Sequence, residues 1–92
     1  MSNPSICIPR INSYISKWEI SNAFNKLGIG KIRKIDVIHN AERKTQKVFV
    51  HFKYWNETTQ SIRIKDILNS GGNIKIVYDF PQYWKCFKSK FS

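Results

Sequence analysis

The chain has 92 residues, 41% of them hydrophobic and 14% aromatic. That is enough for the core of one small domain and too much for a chain disordered by composition. Sixteen Lys and Arg against six Asp and Glu leave a net charge of +10, which points to an anionic partner, nucleic acid first and anionic membrane second. No apolar run reaches the roughly 18 residues of a membrane span. The start from Met1 to Arg10 has a short apolar stretch broken by Pro4 and Pro9, which is not the pattern of a secretory leader.

Taken in chain order, Ile6-Cys7-Ile8 reads as a short strand with Ile6 and Ile8 inward and Cys7 outward, ended by Pro9. Ser16-Lys17-Trp18-Glu19 has the form of a capping box. Ile20, Ala23, Phe24 and Leu27 follow at helical spacing, and Gly28 stops the helix, which predicts a helix from Lys17 to Leu27. Ile32 to His39 is a second strand. Asn40 to Lys44 is a charged loop, and a third strand follows, so these two strands are expected to form an antiparallel hairpin.

The third strand is the cleanest signal. In Lys47-Val48-Phe49-Val50-His51-Phe52, alternation sends Val48, Val50 and Phe52 to a core face and Lys47, Phe49 and His51 to the other. A Phe in mid-strand on an open face is a natural platform for a nucleic-acid base. The competing expectation is that Tyr83, Trp84 or Phe87 folds back over it. Asn56 is read as the cap of a second helix from about Glu57 to Asn69, with Ile64, Ile67 and Leu68 as its stripe. Ser70-Gly71-Gly72 ends it. Ile74 to Tyr78 is a final strand, broken by Asp79-Phe80-Pro81. The segment after it is too aromatic for a solvated tail, which predicts docking to about Phe87, with Ser89 to Ser92 loose.

The order β-α-β-β-α-β with a central hairpin predicts an α+β, ferredoxin-like domain: a four-stranded antiparallel sheet with two helices on one face. The core runs from about residue 5 to 79 and an aromatic extension from 80 to 92. Val48-Phe49-Val50-His51-Phe52 resembles part of the octamer motif of RNA-recognition-motif (RRM) domains, with Phe49 at a stacking position and Val48, Val50 and Phe52 at core positions. Ile6-Cys7-Ile8-Pro9-Arg10-Ile11 looks like the hexamer motif. The chain departs from that pattern at Lys47, where the octamer has its other aromatic, at Gln46 for Gly, at Cys7 for the hexamer's stacking ring, and at Arg10 for Asn. The segments Val50 to Asn56 and Lys75 to Cys86 are similar to small RRM-like proteins of large nucleocytoplasmic DNA viruses. That resemblance implies an intracellular protein of the host cytoplasm or virion.

These residues together predict noncatalytic binding of single-stranded RNA. Phe49 stacks a base, and Lys47, His51 and Lys75 contact its neighbours. Arg43 and Lys44 of the hairpin loop hold phosphate, with Lys34 and Arg10 extending the basic surface and Tyr83, Trp84 and Lys85 contributing from the tail. The alternative is a protein-interaction module or homodimer built on exposed aromatics. Trp18 is expected beside the first helix, Trp55 capping the core, and Trp84 facing outward. Cys7 and Cys86 match no metal spacing and are expected reduced. His39 and His51 are too isolated for a metal site, and the carboxylates form no acid–base pair, so neither metal nor cofactor is expected. The ferredoxin-like topology also hosts acylphosphatase, but Arg10 lacks that family's Gly-rich cradle, and no enzymatic activity is expected.

Overall fold

The computed structural model describes residues 4–79 and 82–89. Its elements are β1 (Ile6–Asn12), α1 (Lys17–Leu27), β2 (Gly30–Asn40), β3 (Thr45–Trp55), α2 (Thr59–Asn69), β4 (Asn73–Asp79) and β5 (Gln82–Lys88). The sheet has five antiparallel strands in the order β2-β3-β1-β5-β4. This corrects the expected four-stranded ferredoxin-like sheet. The place beside β1 belongs to β5, and β4 is displaced to the outer edge. The cause is the alternation of Tyr83-Trp84-Lys85-Cys86-Phe87, which buries Trp84 and Cys86 on the helix side of the sheet. Trp84 also stacks on Tyr78, with ring centroids 4.7 Å apart.

Helix α1 starts where the capping box places it. The Ser16 hydroxyl accepts from the Glu19 N–H, and Gly28 closes the helix in the left-handed region. Helix α2 starts later than expected. Thr58 caps it, accepting from the Ser61 N–H at 3.2 Å. Asn56 is engaged elsewhere: its backbone N–H donates to the Ile29 carbonyl and its side-chain amide to the Gly28 carbonyl. Both helices feed one core. Ile20, Phe24, Ile64 and Leu68 join Ile6, Ile8, Val48, Val50 and Phe52 in a single buried cluster, each fully buried side chain worth about 1.5–3 kcal/mol. Trp55 closes one end, its indole N–H donating to the Pro4 carbonyl at 3.0 Å.

Two further expectations change. β1 does not stop at Pro9 but runs on to Asn12, with its register against β3 shifting between Ile8 and Ile11. A residue without an N–H is tolerated in such an irregularity. Gly30 begins β2 and lies so close to β3 that a Cβ there would run into the Tyr54 carbonyl oxygen. The expected final strand from Ile74 to Tyr78 runs instead from Asn73 through Asp79 and is followed by a further strand, while Phe80 and Pro81 lie outside the described residues.

Candidate nucleic-acid interface

On the face away from the helices, the register lines up one residue from each strand: Asp36 (β2), Phe49 (β3), Cys7 (β1), Phe87 (β5) and Asn73 (β4). Phe49, Cys7 and Phe87 are each half-buried. The tail therefore neither leaves Phe49 alone nor folds over it. It enters the plane of the sheet and adds a second ring in the same row. Phe87 is expected to cover Phe49 or to end a docked tail, not to stand beside it on a strand. The period-two pattern from Tyr83 to Phe87 was the signal that it could be a strand residue.

Beside this row lies a second one, rich in cations. Lys47 precedes Phe49 on β3, and Lys85 and Lys75 are direct partners on β5 and β4. The Lys75 ammonium lies 5.1 Å from the Tyr83 ring centroid and that of Lys85 lies 5.9 Å from Phe87. A cavity of about 570 Å³ is lined by Cys7, Pro9, Lys47, Phe49 and Phe87, together with Lys88 and the end of α2. Arg10 lines a neighbouring hollow with Pro9, Lys85 and Phe87. The structure thus brings together Phe49, Lys47, Lys85 and Arg10 of the expected site, with Lys75 next to them. Arg43 and Lys44 lie in the exposed turn between β2 and β3. That turn is held to the start of α1's lead-in by a bond from the Ser13 N–H to the Lys44 carbonyl, and a hollow running from it reaches Pro9 and Lys47.

The tail residues split by parity. Tyr83, Lys85 and Phe87 face the open side, but Trp84 is core, 3% exposed, which corrects its expected outward role. Its indole N–H is buried without a partner among the described residues. Trp18, expected to pack beside α1, is instead 72% exposed. Lys88 is exposed. Ser89 was expected to be loose but is buried, its N–H donating to the Ser5 carbonyl at 2.8 Å. Lys90 to Ser92 lie outside the described residues.

His51 reaches neighbours on both sides. Its Nε2 lies 2.8 Å from Asp36 Oδ2, and its Nδ1 lies 2.8 Å from Ser5 Oγ. An ionised carboxylate can only accept, so Nε2 carries a proton and, in the neutral ring, Nδ1 accepts from the Ser5 hydroxyl. The His51 hydrogen bond, with Lys34 3.7 Å away as a lesser influence, holds the Asp36 carboxyl below its ordinary value. Carboxylate, imidazole and hydroxyl lie in a row as in hydrolase triads, but with the ring reversed, since here the carboxylate meets Nε2 and the hydroxyl Nδ1. Here Ser5 is 5% exposed, and the relay ties β2, β3 and the lead into β1 together. Nothing in the spacing of residues 5, 36 and 51 announced this arrangement, which only the register produces. Gln46, placed where the RRM octamer has Gly, is also structural, its amide donating to the carbonyls of Asn12 and Ile15.

Burial raises the Cys7 thiol pKa, opposed by nearby Lys47, and pushes that of Cys86 up to about 12. Among the described residues no cluster of three metal-ligating side chains occurs, and no helix is long and apolar enough to cross a membrane. No family model, curated protein or solved structure matches the chain.

Proposed function

We propose that the open face binds single-stranded RNA without catalysis. The observation that carries this reading is the row Phe49–Cys7–Phe87, two half-buried rings on one sheet face with Lys47 and Lys85 beside them. Rings supply sequence-tolerant stacking and the cations hold the backbone. The likeness of β3 to the RRM octamer supports the same reading, as does the charge of +10. The setting that the viral resemblance implies, host cytoplasm or virion, belongs to this proposal. Fluorescence anisotropy with a labelled RNA octamer tests it. Binding should weaken steeply with salt, should prefer the single strand over a duplex, and should fall on Phe49→Ala. Affinity that ignores salt and Phe49 would reject it.

A second reading has its own observation. Tyr14 and Trp18 are 76% and 72% exposed, and Trp18 borders a groove between α1 and β4. Such a surface fits a protein partner or a second copy of the chain. Sedimentation of the protein with and without Trp18→Ala tests the second-copy form, which predicts a dimer lost on substitution.

A further inference from the structure

Phe49 and Phe87 do not form a continuous platform, because Cys7 stands between them in the row. Neighbouring strands lie about 4.8 Å apart, so the two rings rise from positions about 10 Å apart. Between them is a side chain with a single heavy atom beyond Cβ. Among the described residues neither ring is stacked on another ring. The cavity of about 570 Å³ is lined by Phe49, Phe87, Cys7, Pro9 and Lys47 of the open face, and beyond them by Lys88 and the end of α2 with Gly71 and Gly72, a size suited to a small-molecule-sized group. Lys85 places its ammonium against the Phe87 ring.

We infer that this is a slot for one unstacked base of the bound RNA. The base enters edge-first between Phe49 and Phe87, with the Cys7 thiol at the floor and Lys47 and Lys85 placed to meet the flanking phosphates. The inference rests on the RNA-binding reading above and adds how the base is held: gripped on both faces by residues from β3 and β5, not laid flat on β3. A small residue at position 7 is then a requirement of the site, and a third ring there would fill it.

Cys7→Phe separates the two geometries by sign. A flat platform gains a ring and binds more tightly, whereas a slot loses its opening. Anisotropy with a labelled uridine octamer should show binding weakened about tenfold or more by Cys7→Phe and about tenfold by Phe87→Ala, the scale of one lost stack. Thermal melts establish that each variant is folded. Should Cys7→Phe fail to fold, Phe87→Ala and a protection assay on the parent protein decide. In that assay saturating octamer should slow alkylation of Cys7 by N-ethylmaleimide, with buried Cys86 as the internal control. Tighter binding by Cys7→Phe, unchanged binding by Phe87→Ala, or Cys7 alkylated equally fast in the complex would overturn the slot while leaving RNA binding in place. A parent protein that binds no octamer overturns the RNA-binding reading and the slot with it.

Discussion

The two faces of the sheet are built from alternate residues of the same strands, yet they are chemically opposite. On one, Ile35, Val50 and Ile6 form a row, and Val37, Val48 and Ile8 the next; Ile6, Ile8, Val48 and Val50 are fully buried beneath the helices. On the other, one residue along each strand, Asp36, Phe49, Cys7 and Phe87 form a row in which the last three are half-buried. A one-residue slip would exchange the two sets, so the core that fixes the register also fixes the spacing of the open-face rings. Stability is concentrated on the first face, which frees the second to carry side chains chosen for something other than packing.

The comparison breaks most visibly where a tail residue belongs to the core. Trp84→Ala should cost about 3–5 kcal/mol of stability in chemical denaturation, the usual loss for a buried Trp. RNA affinity per folded molecule should be unchanged. Trp84→Phe should cost far less, because it keeps an aromatic ring and removes a buried indole donor that has no partner among the described residues. On the opposite face the pattern should invert. Phe49→Ala should weaken binding to a single-stranded octamer by about 1–3 kcal/mol. The same substitution should lower stability by less than about 1 kcal/mol. If Phe49→Ala unfolds the domain and leaves binding intact, the faces have been assigned the wrong roles.

Smaller effects sharpen the electrostatics. Lys47→Ala should reduce the slope of log affinity against log salt by about 0.7, the contribution of one phosphate contact to a single strand. An unchanged slope would place Lys47 away from the backbone. The smallest effect concerns Asp36. Its folded-state pKa lies below the ordinary 3.8, so the stability it contributes through His51 is complete above that pH and is lost as pH falls through the folded value. Asp36→Asn should therefore lower the melting temperature near neutrality and converge with the parent protein in acid. Curves that stay parallel across that range would mean that the contact adds no stability.

Local chemistry made much of this legible beforehand. The Ser16 box and Gly28 bracket α1 within one uninterrupted apolar stripe, and β3 alternates unbroken from Gln46 to Phe52, so its two faces there follow from period two. Non-local competition hid the rest. Asp79-Phe80-Pro81 reads as the end of the last strand, yet the chain from Gln82 forms another, and Trp84 and Cys86 compete with β4 for the place beside β1. Trp18 is exposed and not packed as expected, because helical spacing identifies the apolar stripe but does not bring every neighbouring aromatic into it. Of the site, Phe49 and Lys47 were readable on one strand. Phe87, the gap at Cys7 and the Ser5–His51–Asp36 relay depend on pairings between strands, which no stretch of sequence contains alone.

The central claim is that the open face, and not the helix-covered one, takes the RNA. Titrating isotope-labelled protein with an unlabelled single-stranded octamer and following the backbone amide resonances tests it most directly. The largest shifts should cluster at Cys7, Lys47, Phe49, Lys85 and Phe87, while Ile20 and Phe24 in α1 and Ile64 in α2, which line no part of the cavity at Phe49 and Phe87, stay still. Shifts confined to the helices, with Phe49 and Phe87 unmoved at saturation, would contradict it.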